Sequence, residues 1–170
     1  MCDSYEMIIR PAEDKDIDRI VEAIASLITE LSGGSDAALP DTAKDVCNRL
    51  IKNQSRGVIF IAETSSPAAF FVGCITASIQ EAIYIGGSYM LIQELYVHPM
   101  FRNQKIGSQL ICAVEQYCKE KGMNTLEVYL PLHSFIDYEK TLNFYEKEGF
   151  SVFGPRMKKN IMTIGDKNEI

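Results

Sequence analysis

The sequence lacks the features that mark exported, membrane-spanning and disulfide-stabilised proteins. No stretch of its 170 residues approaches the roughly 20 consecutive apolar residues that a membrane span requires. Residues 1–9 contain no positive cluster followed by an apolar run, which a secretory signal would have. The five cysteines are odd in number and include no C-x-x-C pair. We therefore expect a cytoplasmic protein that holds its thiols reduced.

An excess of positive charge is also absent, since the formal net charge is −6 at pH 7. General affinity for nucleic acid or for an anionic membrane is therefore not expected. The two histidines, His98 and His133, lack the spacing of metal ligands, and we predict no metal site. Internal repeats are absent. The chain length suits one core, so we expect residues 1–170 to form a single domain.

What is present is an ordered series of strand and helix patterns. In the first half, apolar periodicity and the positions of glycine and proline predict five elements. They are a strand at residues 7–10, a helix over residues 17–31 with Asp14 as N-cap and Gly33-Gly34 as its stop, a helix from Pro40-Asp41 with Val46, Leu50 and Ile51 on its apolar face, and a hairpin of strands 58–62 and 70–77 turning at residues 65–67.

In the second half of the sequence, the pattern of elements changes from one typical of antiparallel strands to one typical of parallel strands. The pattern predicts a strand over residues 89–97, a helix from Ile106 to Gly122 and a strand over residues 126–130. A strand, helix and strand at this spacing imply a right-handed crossover and a parallel pair. A helix over residues 138–148 and closing strand material over residues 152–161 complete an α/β fold, with a mixed, mostly antiparallel sheet and helices on both faces.

The turn before the third predicted helix has the composition of an anion site. A helix N-terminus leaves about four backbone N–H groups unpaired and carries partial positive charge. Gly107 leaves room for close approach, while Arg102 and Lys105 add positive charge. An ordinary strand-to-helix turn with two solvated cations is the alternative interpretation.

Two segments resemble the motifs of a known family. The run LYVHP at residues 95–99, followed after two residues by Arg102-x-x-x-x-Gly107, resembles motif A of the GCN5-related N-acetyltransferases. The run LNFYEKEGF at residues 142–150 resembles motif B of the same family. The two motifs occur in the family's order with the expected strand between them, and together they cover roughly the C-terminal half.

The resemblance implies acetyl-coenzyme A as cofactor. It assigns cofactor binding to the residues Leu95, Tyr96, Val97, Arg102, Asn103, Gln104, Lys105, Ile106, Gly107 and Ser108. The sequence departs from the family where Lys105 and Asn103 replace frequent glycines, and where Tyr138 replaces an asparagine that contacts the pantetheine arm in many relatives. A left-handed backbone at Lys105 would cost about 1 kcal/mol.

The resemblance also implies two catalytic residues. Glu94 lies in an otherwise apolar strand, where an unpaired carboxylate is costly, and a glutamate near this position is a general base in relatives. Strand alternation puts Ile92, Glu94, Tyr96 and His98 on one face, and a bulge, which relatives have in this strand, would change that. Tyr145 corresponds to the general acid. The alternative for Glu94 is a carboxylate that faces solvent or holds a loop. The alternative for Tyr145 is an amphipathic core residue whose hydroxyl group reaches water.

The function that the resemblance implies is direct transfer of an acetyl group from acetyl-coenzyme A to a primary amine. A non-catalytic acyl-coenzyme A sensor of the same fold and an unrelated phosphate-binding α/β domain stay as alternatives. The acceptor, a small molecule or a peptide amine, is not readable from the sequence; Glu30, Asp36 and Tyr89 are the candidate contacts. A homodimer is a further expectation from the family.

Overall fold

The computed structural model describes residues 6–34, 38–65 and 69–159, and its chain forms five strands and four α-helices there. In chain order they are β1 (Met7–Pro11), α1 (Ile17–Leu31), α2 (Ala43–Lys52), β2 (Gly57–Thr64), β3 (Phe71–Ala82), β4 (Gly87–Val97), α3 (Ile106–Glu120), β5 (Leu126–Val128) and α4 (Tyr138–Lys147).

The strands form one sheet in the order β1-β2-β3-β4-β5. The first four strands pair antiparallel, and β4 pairs with β5 in parallel. The β4–α3–β5 unit thus contains the parallel strand pair that the spacing predicted. This mixed α/β architecture confirms the predicted fold class.

Two apolar clusters sandwich the sheet because successive strand residues point to opposite faces. Along β2, Val58 and Ala62 join the cluster under α3, whereas Ile59 and Ile61 join the cluster under α1 and α2. Full burial of such a branched side chain contributes about 1.5–3 kcal/mol. The sheet therefore has helices on both faces, and its β4–β5 edge lies between the two layers.

Two local predictions about the first half need correction. A 3₁₀ turn at Asp14–Asp16 precedes α1, and the residue before it is Glu13, whose N–H donates to the Asp16 carboxylate at 2.9 Å. The N-cap residue of α1 itself is Asp16, so the predicted N-cap at Asp14 is wrong. In α2, Val46 is 45% exposed and its neighbour Cys47 is buried, because the helix begins at Ala43 and turns that residue inward.

The predicted C-terminal elements also differ. The strand β5 ends at Val128 rather than continuing to Leu130. Residues 151–159 form no strand and are exposed, so the predicted closing strand is wrong over these residues; residues 160–161 lie outside the described part of the chain. Pro155 offers no backbone N–H, and Gly154 before it has a positive φ, which together prevent a regular ladder.

The cysteines within the described residues are free thiols, with Cys47, Cys74 and Cys118 buried and Cys112 exposed. Cys2 lies outside these residues. No described helix combines the length and apolarity needed to cross a membrane.

Candidate active site

Strands β4 and β5 separate at the middle of β4. Their pairing covers three residue pairs, from Met90 with Leu126 to Ile92 with Val128, while β4 continues to Val97. Within the described residues, the β4 edge beyond Ile92 therefore has no strand partner on that side. Its backbone N–H and C=O groups can pair with an extended ligand, as an exposed sheet edge does.

A β-bulge in β4 lies at the same point. Thr76 of β3 is opposite Glu94 and Ala77 is opposite Ile92, so Gln93 is an extra residue. A bulge reverses the alternation of side chains beyond it. Ile92 accordingly packs in the α3 cluster, and Tyr96 packs in the cluster under α1 and α2. Simple alternation predicted one face for both, and the bulge is the physical reason that they separate.

Glu94 follows Tyr96 onto the α1–α2 face. Its carboxylate is half-buried and accepts a hydrogen bond from the Thr76 hydroxyl. Burial raises the pKa of Glu94, and the hydrogen bond from Thr76 opposes that rise. The Glu94 charge in turn contributes to raised pKa values of Cys47 and Cys74, whose main cause is burial. Glu94 is thus held inside the fold rather than being a freely solvated carboxylate.

Tyr145 lies on the other side of the sheet. It is 8% exposed, belongs to the α3 cluster, and packs between Phe144 and Phe150 with ring centroids 5.1 Å and 5.4 Å away. Burial raises the pKa of Tyr145, so its phenol keeps its proton at neutral pH. The two predicted catalytic residues therefore lie on opposite faces of the sheet, and Tyr145 shares its apolar cluster with Ile92 and Leu95 of β4.

The loop between β4 and α3 contains two residues with a left-handed backbone. Asn103 and Lys105 have φ values of 63° and 62°, and both are left-handed residues without being glycine. Lys105 is the N-cap of the 15-residue helix α3, whose first turn presents unpaired N–H groups and partial positive charge. The left-handed conformation whose cost was considered for Lys105 is present in the structure.

Two residues predicted for separate roles meet in the structure. Arg102, a predicted cofactor residue, donates to both carboxylate oxygens of Glu30 at 2.8 Å and 2.9 Å. Its Nε also donates to the carbonyl of Val97 at 2.9 Å. Glu30, a predicted acceptor contact in the last turn of α1, is therefore paired with the anion loop.

Gly107 and Ser108, in the first turn of α3, contact α4 and the residue that follows it. A Cβ added at Gly107 would lie 3.0 Å from the Phe144 ring, so the missing side chain makes room for α4 rather than for an anion. The Ser108 hydroxyl donates to Glu148 at 2.6 Å. Of the remaining predicted cofactor residues, Gln104 donates to the Met100 carbonyl and Ile106 is buried. Leu95 and Val97 pack partly buried against the α3 cluster.

The face that carries Glu94 also contains an aromatic and acidic group. Burial and the charges of Glu127, Tyr129 and Tyr84 raise the pKa of Tyr89. Tyr129 follows β5, and the Arg156 guanidinium lies 4.1 Å from its ring centroid, a cation–π distance. Asp36 lies outside the described residues.

Sequence reasoning missed Glu127, Tyr129 and Arg156. The alternation Leu126, Val128, Leu130 did contain a signal for the first two, because it leaves them on the opposite face. Thr76 was also missed. No local signal marks it, since only the strand register places it against Glu94.

Neither the two histidines nor the surface groove beside α1 adds a residue to the candidate site. His98 packs against Phe70 and Phe101, and the His133 ring packs at a tilt against Tyr138, the first residue of α4, with ring centroids 4.1 Å apart. No cluster of three metal-ligating side chains occurs in the described ranges. An open groove of about 390 Å³ between α1 and the start of β3 includes Tyr96 but not Glu94, and we do not assign it to the site.

Comparison with known proteins points to one family. The model described as the Acetyltransferase (GNAT) family matches residues 22–150. Comparison with curated proteins found no match.

Solved structures share the fold at low identity. A possible acetyltransferase from Clostridium difficile 630 is 18% identical with a TM-score of 0.73, over 92% of this chain and 98% of that one. A GCN5-related N-acetyltransferase from Ralstonia eutropha JMP134 is 21% identical with a TM-score of 0.71, over 92% and 99%. An aminoglycoside acetyltransferase from an uncultured soil metagenomic sample, in complex with sisomicin, is 22% identical with a TM-score of 0.66, over 92% and 96%.

Proposed function

Because the chain belongs to the acetyltransferase (GNAT) family, we propose that it transfers an acetyl group from acetyl-coenzyme A to a primary amine by direct attack. The observation that carries the proposal is the separation of β4 from β5 at the bulge. It leaves an unpaired strand edge in a sheet that has a half-buried carboxylate, Glu94, on one face and a buried phenol, Tyr145, on the other. The left-handed anion loop lies at the end of the same strand.

The residues present fit coenzyme A in two respects. The β4 edge from Gln93 to Val97 suits an extended arm with amide groups, and the N-terminus of α3 suits a pyrophosphate. Bound acetyl-coenzyme A supplies a thioester whose carbonyl carbon accepts the amine. Arg102 would exchange Glu30 for phosphate oxygens, and Lys105 would add a second positive charge.

Glu94 is proposed as the general base. An alkyl ammonium has a pKa of about 10.4 and must lose a proton before its nitrogen can attack. The carboxylate of Glu94 accepts this proton while the amine nitrogen forms the new bond to the acetyl carbon. Since burial raises the pKa of Glu94, it is a stronger base than a solvated glutamate.

Tyr145 is proposed as the general acid. As the carbon–sulfur bond breaks, its electron pair goes to sulfur, and the Tyr145 hydroxyl donates a proton to that thiolate. The raised pKa of Tyr145 keeps this proton in place before the transfer. A positioned acid of this kind contributes typically about 10²- to 10⁴-fold to the rate.

We propose a cationic acceptor, which can be a small molecule or a peptide amine. Arg156 already places a guanidinium on Tyr129, on the face where Glu94 and Glu127 lie. The net charge of −6 favours the approach of cations. We also propose a cytoplasmic location and a homodimer; the buried free thiols Cys47, Cys74 and Cys118 support the former.

The test begins with calorimetric titration of the protein with acetyl-coenzyme A. We expect near-stoichiometric micromolar binding, followed by acetylated products when a panel of primary amines is analysed by mass. Glu94→Gln and Tyr145→Phe should each lower kcat by 10²-fold or more and leave cofactor affinity within a few-fold. Glu81→Gln, an exposed carboxylate at the end of β3, is the matched control.

Each result has a distinct meaning. Binding without product from any amine would replace the enzyme with a non-catalytic acyl-coenzyme A sensor. Absence of binding would contradict the proposal altogether. Full turnover in Glu94→Gln would remove the base from the mechanism while leaving the transfer reaction.

A further inference from the structure

We propose that Thr76 is a positioning residue for catalysis, whose hydroxyl holds the Glu94 carboxylate at the bulge in its ionised, acceptor-facing state. This inference rests on the proposed function, because the Thr76 hydroxyl serves catalysis only if Glu94 is the general base. Thr76 lies on β3, away from both motif segments.

The cross-strand register creates the contact. Thr76 is directly opposite Glu94, at the position where the bulge begins, and its hydroxyl donates to the carboxylate. In a regular strand without the bulge, Gln93 would be opposite Thr76, and the Glu94 side chain would point to the α3 face with Ile92. The bulge and the threonine thus act as one arrangement.

Thr76 is built to hold its hydroxyl still. It is 5% exposed, and its branched side chain is stiff at χ1 because two heavy atoms share the Cβ. The two neighbours of Thr76 along β3, Ile75 and Ala77, are fully buried in the apolar α3 cluster. A valine would match the shape of Thr76 in this strand, so the feature that threonine adds is the hydrogen bond.

Among the described residues, the Glu94 carboxylate has no ion-pair partner. The titratable groups on the neighbouring elements include Cys47 on α2, Cys74 on β3 and Tyr96 on β4. Arg19 and Glu22 of α1 line the groove beside Tyr96, Arg10, Asp16 and Glu63 pair with one another, and Tyr89 on β4 is near Glu127 and Tyr129 at β5. Burial raises the pKa of Cys47 to about 11, so this thiol is neutral at pH 7. Among the described residues, burial and Thr76 are the two influences on the pKa of Glu94, and Thr76 opposes the first.

Loss of the hydroxyl should therefore be visible as a change in proton affinity. Thr76→Val keeps the branch and the volume but removes the donor, so the pKa of Glu94 should rise further. A hydrogen bond to a charged group is strong enough to move the acidic limb of the kcat/KM profile up by about one pH unit. Thr76→Ser retains the donor and should restore most of the wild-type profile.

Two measurements on the full chain test the inference. Carboxyl ¹³C NMR titration, with the Glu94 signal assigned from its loss in Glu94→Gln, follows protonation without any need for an acceptor. The pH dependence of kcat/KM, with the amine identified in the panel above, follows catalysis. Thr141→Val is the matched control, because the Thr141 hydroxyl donates to the backbone carbonyl of Asp137, the N-cap of α4, at 3.1 Å and its loss should leave the Glu94 titration unchanged.

The outcomes separate this inference from the proposed function. An upward shift of both the NMR titration and the acidic limb in Thr76→Val, reversed in Thr76→Ser, supports it. An unmoved NMR titration in a folded Thr76→Val protein overturns it, even if Glu94→Gln is inactive. A shifted titration with an unmoved acidic limb shows the contact but overturns the catalytic role, and an acidic limb that survives in Glu94→Gln removes Glu94 as the base.

Discussion

At the scale of single residues, Glu94 combines a stability cost with a chemical use. Its folded-state pKa is raised by burial, so the folded protein holds the proton more tightly than the unfolded chain. The favourable contribution of this group is then fully present below the unfolded-state pKa and is lost as pH rises through the folded-state value. At pH 7 the ionised carboxylate therefore destabilises the fold.

The destabilising effect of the ionised Glu94 carboxylate at pH 7 leads to the first prediction. Glu94→Gln keeps an acceptor for the Thr76 hydroxyl and removes the buried charge, so its midpoint of thermal unfolding should exceed that of the wild type at pH 7 by about 2 °C or more. The difference should shrink at pH 4, where the wild-type carboxyl is protonated. Calorimetric unfolding scans at both pH values measure it, and a lower midpoint at pH 7 would contradict the assigned environment.

Lys105 is the second residue at which conformation conflicts with side chain. Its φ of 62° places a Cβ in the left-handed region, where only glycine avoids the penalty. Lys105→Gly should raise the free energy of unfolding by about 1 kcal/mol and, by removing a positive charge, weaken acetyl-coenzyme A binding several-fold. Denaturant titration and calorimetry measure the two effects.

The neighbouring loop residue provides the comparison. Asn103 has a φ of 63°, and asparagine tolerates the left-handed region better than lysine does. Asn103→Gly should therefore gain less stability and leave the charge of the loop unchanged. Equal gains at the two positions would show that backbone strain does not distinguish them.

At the scale of elements, α3 and α4 approach each other through a gap where one side chain is missing. A Cβ at Gly107 would meet the Phe144 ring at 3.0 Å and Leu95 at 3.9 Å. Gly107→Ala should lower the free energy of unfolding by about 1–3 kcal/mol through overpacking, despite the better helix propensity of alanine. Chemical denaturation of the purified variant measures this loss.

A double-mutant cycle identifies the contact. Phe144→Leu removes the ring atoms that the new methyl group would meet, so Gly107→Ala should cost less in that background. Additive losses would mean that the two positions do not interact. Gly122→Ala is unsuitable as a matched control because Gly122 has a φ of 73°, so an independent backbone penalty would enter the comparison.

The elements also show which parts of the site a sequence can predict. Helices and strands follow local periodicity, so α1, α3, β4 and the parallel pair were predictable from the sequence. The partners of Arg102 and Glu94 depend on register and on helix placement across more than 15 residues of sequence. The Arg102–Glu30 pair and the Thr76–Glu94 contact therefore needed the fold, and the bulge reversed the face of Ile92 relative to Glu94.

At the scale of the whole molecule, a buried charge network joins the N-terminal elements to the sheet. Asp16 has a fully buried side chain and accepts from Arg10 of β1 at 2.7 Å and 3.1 Å, and from Arg19 of α1. Arg10 also donates to Glu63 of β2 at 2.7 Å. Removing one member of such a network leaves the remaining buried charges without compensation.

The network makes folding sensitive to acid. Burial acts to raise the pKa of Asp16, but the hydrogen bonds from Arg10, the Glu13 backbone and Arg19 outweigh it, and the pKa is lowered overall. A carboxyl with a depressed folded-state pKa contributes stability above its unfolded-state pKa, and that contribution is lost as pH falls through the folded-state value. Asp16 therefore stabilises the molecule at neutral pH and not in strong acid.

Asp16→Asn should lower the free energy of unfolding at pH 7 by about 2–4 kcal/mol, because a neutral amide cannot balance two guanidinium groups. The gap to the wild type should close in strong acid, below the depressed pKa of Asp16. Urea titrations over a pH series measure both quantities. Asp18→Asn is the control, since its pair with Lys44 lies on the surface and exposed pairs contribute little. A loss that stayed constant as the pH fell would mean that packing, rather than the charge of Asp16, holds β1 and α1 to the sheet.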